Sequence, residues 1–238
     1  ILVAALDRIG YDAHGELLDA SHFGVPQRRQ RLIVIGLRRD VAGALPGGIS
    51  TVFGYIRKAG ELQLRQFTAG QEVTVSDAIS DLLAGPDEDR LECKDPASPK
   101  GFTFKMPAYR GPSTSYQQYM HHGIGAKNMD SMRLANHTPT VRQRFQEILS
   151  TYTKGANLSQ EAKNRYGLLK HRIHLLAADQ ASWTLTTLPD DLLHYEEPRI
   201  LTVREYARLQ SFPDWFKFRG KYTTGGELRK KECPRYTQ

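Results

Sequence analysis

The apolar positions of the first forty residues change period twice. Residues 1–9, Ile-Leu-Val-Ala-Ala-Leu-Asp-Arg-Ile, read as the last turns of an amphipathic helix, and Gly10 suits the left-handed residue that stops one. Residues 16–20 then read as a short strand and 21–31 as a connection. Residues 32–37, Leu-Ile-Val-Ile-Gly-Leu, form a second strand apolar enough to be fully buried. The helical period returns downstream. Ser76 caps a helix predicted over 77–84 and closed by Gly85-Pro86. Thr138 with Pro139 starts another that runs through Leu149, with Val141, Phe145, Ile148 and Leu149 on one face. A shorter polar helix begins at Ser159 or Gln160. Residues 41–50, containing Pro46-Gly47-Gly48, predict a loop and a domain boundary. There is no internal repeat and no low-complexity tract.

The stretch between the first two strands carries the candidate chemistry. Arg29 and Arg31 follow a Gly24-Val25-Pro26 turn and lead into the apolar strand. Residues two apart on an extended segment point the same way. A rigid strand can therefore aim two guanidiniums, each a fork of donors, at one anionic or carbonyl-rich target. A basic cluster alone is usually a solvated face; the turn on one side and the strand on the other favour a placed site.

Residues 24–31, Gly-Val-Pro-Gln-Arg-Arg-Gln-Arg, resemble the eighth motif of the DNA (cytosine-5) methyltransferases, Gly-Val-Pro-Gln-x-Arg-x-Arg followed by a strand. Residues 199–214, from Arg-Ile-Leu-Thr-Val-Arg-Glu through Phe-Pro-Asp, are similar to that family's ninth motif. The resemblance covers residues 1–40 and 170–216 firmly and the stretch between them loosely. It implies an α/β fold: the C-terminal fragment of a Rossmann-like, S-adenosylmethionine-dependent methyltransferase domain, joined to a loop-rich mixed α+β target recognition domain. Residues 1–48 would be the last strands of the catalytic domain and 49–196 the recognition domain. Residues 197–238 would be the hinge and the return to the catalytic domain.

The family's Pro-Cys-Gln nucleophile loop, its Glu-Asn-Val motif and its Gly-rich cofactor turn are not found here. Cys93 lies in Leu-Glu-Cys-Lys and Cys233 in Glu-Cys-Pro-Arg, neither of them a nucleophile setting. In the family these elements precede the eighth motif, so the chain reads as the C-terminal part of such an enzyme, inactive alone. S-Adenosylmethionine would be bound mainly by the N-terminal part. Double-stranded DNA is the implied partner, and the N-terminal half as a separate chain is a second. The first helix starts without a capping residue, and 236–238 resemble the lead-in to the tenth motif, so both ends look cut. A signal peptide would need a basic n-region and a cleavage site, and Asp7-Arg8 interrupt the run.

As the resemblance implies, Arg31 would bind the cytosine carbonyl oxygen or its phosphate, and Arg29 would hold the catalytic loop and backbone in place. Residues 183–187, Trp-Thr-Leu-Thr-Thr, resemble the family's threonine segment, in which one of Thr184, Thr186 and Thr187 would touch the DNA backbone. The ninth motif reads as scaffold, with Thr202 and Glu205 forming a capping box, Leu201 stapled onto Tyr206, and Arg204 and Arg208 on one face. By position, the recognition residues fall in 100–137, rich in Tyr, Gly, Ser, Gln and His. Arg110, Gln117, Gln118 and Lys127 are the candidates there, since Gln can read adenine and Arg guanine.

Composition narrows the setting. The formal charge of +7 suits a polyanionic partner. Much of the excess lies between Lys217 and Arg235, where seven Lys or Arg face two Glu. That run reads either as a DNA-backbone contact or as an unpaired tail. Two distant cysteines give no disulfide framework, so a reducing cytosol is the default, and no segment is apolar enough to cross a membrane; the family resemblance implies a bacterial, cytoplasmic, nucleoid-associated restriction-modification setting. His121-His122 and His171-x-x-His174 lack a third ligand, so no metal is expected. Gly123-Ile-Gly125 reads as a turn. A non-catalytic DNA-binding subunit of a split or decayed methyltransferase, or a tRNA cytosine-5 methyltransferase, are the alternative readings.

Overall fold

A computed structural model of the chain describes residues 1–93, 103–125, 129–169, 172–222 and 235–237. Helix α1 (Leu2–Arg8) ends at Ile9, and Gly10, at φ +90°, turns the chain as expected. Strand β1 (Tyr11–Asp19) follows, then a 3-10 turn (Ala20–Phe23), a two-residue strand β2 (Gln27–Arg28) and β3 (Gln30–Arg38). β1 and β3 pair antiparallel from Tyr11↔Arg38 to Asp19↔Gln30. Gly24 is required twice over: its φ is +77°, and a Cβ there would lie 2.9 Å from the Phe67 ring.

The apolar run of β3 is not fully buried. Leu32 is 66% exposed and Ile33 39%. Among the described residues β3 pairs only with β1, which leaves one edge of β3 unpaired, and the face that carries the cross-strand pair Leu17 and Leu32 is open.

The Pro46-Gly47-Gly48 loop, after a short α2 (Arg39–Ala42), does punctuate the chain, but a long helix α3 (Ser50–Phe67) follows that the sequence pattern does not announce. It packs back onto the ribbon. Phe53 is fully buried, edge-on to His14 at 5.5 Å. Gly60 lets the helix close on the 3-10 turn, where a Cβ would stand 2.7 Å from the Phe23 ring and 2.8 Å from the His22 carbonyl.

The next helix, α4 (Val75–Ile79), is capped by Thr74, not Ser76. Asp77 reaches back to the Thr74 N–H to complete the box, and this reciprocity fixes the start two residues earlier than expected. β4 (Leu91–Cys93) and β5 (Phe104–Met106) form a small hairpin pair, and α5 (Ser115–His121) opens on a Thr114–Gln117 capping box. α6 (Pro139–Thr151) starts at its Thr138 cap and α7 (Gln160–Arg165) at Ser159, as their sequences predict. β6 (His174–Leu175), β7 (Ser182–Trp183) and β8 (Leu192–Leu193) precede α8 (Val203–Arg208). β6 pairs parallel with β8, and β7 parallel with β2. No helix among the described residues is long and apolar enough to cross a membrane.

One core cluster joins Val73, Ile79, Tyr116, Met120, Leu176, Leu201 and Leu209; a second joins Ile148, Leu149, Leu158, Leu175 and Leu193. Each such side chain contributes roughly 1.5–3 kcal/mol by leaving water. α8 is buried at every residue and carries charges inside. Its capping box is the expected one, the Thr202 hydroxyl accepting from Glu205 N–H while the Glu205 carboxylate takes the Thr202 N–H. Arg199 holds the same carboxylate through both terminal nitrogens, at 2.8 and 2.7 Å. Arg204 binds Asp130 and the Phe216 carbonyl, and Arg208 grips Asp214 and Asp81. Buried arginines persist only with such partners. The segment therefore acts as the frame on which α4, α5 and the strands hang.

Candidate functional site

The arginine turn is pinned by two carboxylates. Asp19 ends β1 and accepts three hydrogen bonds: from Ser21 N–H (3.1 Å), Ser21 hydroxyl (3.0 Å) and Arg29 N–H (3.0 Å). Partial burial works against its charge, but these donors outweigh it and hold the carboxyl below its ordinary range. Glu72, from the segment after α3, shares the single Ser21 hydroxyl hydrogen with Asp19 (2.9 Å to Glu72) and takes the Arg28 guanidinium on its other oxygen (3.1 and 3.0 Å). The turn is thus tied to the core through Val73, its fully buried neighbour.

A third tie comes from far along the chain. The register of β2 on β7 pairs Gln27 with Ser182 and Arg28 with Trp183. Ser182 N–H donates to the Pro26 carbonyl at 3.0 Å. The Thr184 hydroxyl donates to the Arg28 carbonyl at 2.9 Å, across 156 positions of sequence. The arginine turn and the segment formed by β7 and the threonines that follow it (called the threonine strand below), separate in sequence, are one hydrogen-bonded unit.

Within that unit the predicted residues fare differently. Arg29 falls in the break between β2 and β3, half-buried, and its guanidinium makes no hydrogen bond or ion pair among the described residues. Arg31 lies exposed on β3 and donates only to the neighbouring Gln30 carbonyl, at 2.7 Å. The strand break at Arg29 means that no single continuous strand aims the pair. The Thr186 hydroxyl binds the Asp191 carboxylate at 2.8 Å; Thr187 is exposed beside it.

The recognition candidates stand apart. Arg110 is exposed and paired with Asp89 at 3.0 Å, and Gln118 is exposed on α5. Neither shares a hydrogen bond with the arginine turn or the threonine strand. Lys127 lies outside the described residues, as does most of the basic run beyond Tyr222. Gln117 is corrected: it is fully buried, and its amide is engaged at both ends. Its oxygen accepts from the Ser113 and Thr114 N–H groups, and its nitrogen donates to the Ser80 hydroxyl at 2.9 Å. A glutamine that completes a capping box has no edge to offer a base.

Sequence reading missed the residues that hold the turn. Asp19 had a local signal, since Asp-x-Ser is an Asx-turn pattern. Glu72 had none, because its partners lie 44 and 51 positions away. The assembled unit presents the Arg29 and Arg31 guanidiniums without carboxylate partners among the described residues. Guanidiniums so placed are chemically suited to phosphate or carbonyl oxygens.

A family model described as C-5 cytosine-specific DNA methylase matches residues 1–230 of the chain. Type II methyltransferase M.XorII of Xanthomonas oryzae pv. oryzae is 28% identical over 234 residues, covering 91% of this chain and 46% of the relative. DNA (cytosine-5)-methyltransferase CMT2 of Oryza sativa subsp. japonica is 25% identical over 269 residues, covering 88% of this chain and 19% of its own length. Among solved structures, an E. coli prophage-encoded protein described as a 'putative DNA modification methyltransferase' superposes with a TM-score of 0.54 at 20% identity. The match covers 89% of this chain and 53% of that one. At this identity the likeness is one of fold, and it matches the expected α/β methyltransferase class. The chain spans about half the length or less of these relatives.

Proposed function

The chain belongs to the C-5 cytosine-specific DNA methylase family, and from that premise we propose that it supplies the DNA-contacting, C-terminal part of an enzyme that methylates carbon 5 of cytosine. The observation that carries the reading is the hydrogen-bonded union of the arginine turn with the threonine strand. Carbon 5 of cytosine is covered in the duplex stack, so the base must leave it, at a cost of a few kcal/mol that contacts must offset. Arg31 donates to the extruded cytosine's carbonyl oxygen or its phosphate. Arg29 holds the catalytic loop and backbone, and the threonines hold the strand beside it. Donors fixed in advance of charge development stabilise the transition state without reorganising.

Residues 1–48 close the catalytic domain, 49–196 form the recognition domain and 197–238 return the chain, with α3 bridging the first two by packing on the ribbon. Arg110 and Gln118 are candidates for reading bases. S-Adenosylmethionine is the methyl donor that the family implies. The Gly123-Ile-Gly125 turn does not fit it, because it follows α5 and not a strand. The donor's cradle belongs to residues other than those described, such as an N-terminal half in the same or a separate chain. By the same reading the chain alone transfers no methyl group, and it works with DNA in the cytoplasm.

The test is fluorescence anisotropy of labelled duplex DNA with the chain across a salt series. The affinity should fall with salt, the logarithmic slope changing by about 0.9 for each phosphate contact. Replacing Arg29 and Arg31 together by alanine should flatten that slope. Salt-independent binding, or a slope unchanged in the double variant, would overturn the assignment.

A further inference from the structure

Trp183 presents a half-exposed indole, 49% accessible, at the seam where β7 meets β2. The core does not need this ring, since the same segment fills the interior with Leu185. The indole packs against the His174 ring, centroids 5.3 Å apart at a 51° tilt. His174 is 2% exposed, and its Nδ1 has no hydrogen-bond partner. Burial, with Arg172 nearby, pushes its pKa down to about 4, so the ring under the indole is neutral. Trp183, His174, Arg172, Asn157, Thr184, Thr186, Asp191 and Leu192 line one narrow cleft, in which the Asp191 carboxylate is taken up by the Thr186 hydroxyl. Arg172 is exposed.

An exposed aromatic with an exposed arginine beside it is the chemistry of a single-strand contact. The charge follows the backbone, and the ring takes a base that has lost its stacking neighbour. Extrusion of one nucleotide creates such bases; an intact duplex offers none. We propose that Trp183 is a stacking platform for a base left unstacked by extrusion, with Arg172 at the rim of the cleft meeting the adjoining phosphate. The proposal rests on the DNA-methylase reading and adds a ligand contact to it.

The chain has two tryptophans, so Trp215→Phe makes Trp183 the sole emitter. This variant is titrated with a short single-stranded oligodeoxynucleotide, a duplex with one abasic position, a fully paired duplex and inorganic polyphosphate. Emission and the anisotropy of labelled DNA are followed together. Emission should be quenched by the single strand and the abasic duplex but not by polyphosphate. Trp183→Ala should weaken binding to the first two about tenfold, and Trp183→Phe much less. Unfolding midpoints check that each variant folds; should the alanine variant fail to, the emission arms and the phenylalanine variant decide. Unchanged emission while anisotropy reports binding would overturn the platform and leave the DNA reading standing. Equal quenching by polyphosphate would reduce the site to bare charge and also overturn it. No binding to any DNA would overturn the DNA reading itself.

Discussion

Replacing Arg208 by methionine removes the cation at the centre of the frame while keeping most of its volume. Arg208 is fully buried. It donates to Asp214 at 2.6 and 2.5 Å, to the Ala78 carbonyl at 3.0 Å and to Asp81 at 3.3 and 3.2 Å. Burial opposes its charge, yet the two carboxylates outweigh burial and hold its pKa above the usual arginine value. The substitution leaves both carboxylates in the interior without this partner, and breaking such a buried group costs about 3–5 kcal/mol. With a urea slope of roughly 2–3 kcal/mol per molar, the unfolding midpoint should fall by about 1–2 M at unchanged slope. Asp81 sits above its ordinary range because of burial, and Arg208 pulls it back. Without Arg208 it rises further, so the deficit should shrink as pH falls from neutral and the carboxyl takes up a proton. Asparagine at both 81 and 214 in the same chain should restore part of the loss. A midpoint shift below about 0.3 M, or a deficit indifferent to pH, would refute the view that this network frames the fold.

Other outcomes follow from single contacts. Gly60→Ala raises helix propensity by about 1 kcal/mol, but its Cβ meets Phe23 and the His22 carbonyl below 3 Å. Net destabilisation of about 1–3 kcal/mol should appear in thermal unfolding, with faster hydrogen exchange in α3. Thr184→Val removes the hydroxyl that joins the strand to the Arg28 carbonyl and should cost about 1 kcal/mol, read by urea unfolding. The pKa of His174 is lowered from 6.5 to about 4, and those of His137 and His194 are also lowered. The unfolded chain therefore binds more protons below the unperturbed value, and stability should fall as pH drops from 6.5 towards 4. His174→Gln should make that slope shallower.

What the sequence revealed depended on whether the decisive partner was near. The caps at Thr138, Ser159 and Thr202 were legible because both partners lie within one turn. Residues 24–31 and 199–214 drew attention to the arginine turn and the buried helix. The burial of Arg204 and Arg208 was not legible, because Asp130 and Asp81 lie 74 and 127 positions away. α3 escaped notice because its N-terminal flank, Ile49, makes no capping bond and Gly54 and Gly60 interrupt its pattern. The apolar run of β3 announced a covered face, but periodicity does not say what covers it. Gln117 looked like a base reader because composition cannot distinguish an exposed amide from one engaged in a cap.

Methyl transfer and DNA affinity, measured side by side for Arg31→Ala in the enzyme that carries this chain, address the central claim. If Arg31 donates to the reacting cytosine, kcat should fall about a hundredfold or more, as for the loss of a fixed donor to developing charge. DNA affinity should hold within about fivefold, as for an exposed charge. Equal losses in rate and affinity, or no change in either, would contradict the role of the arginine turn.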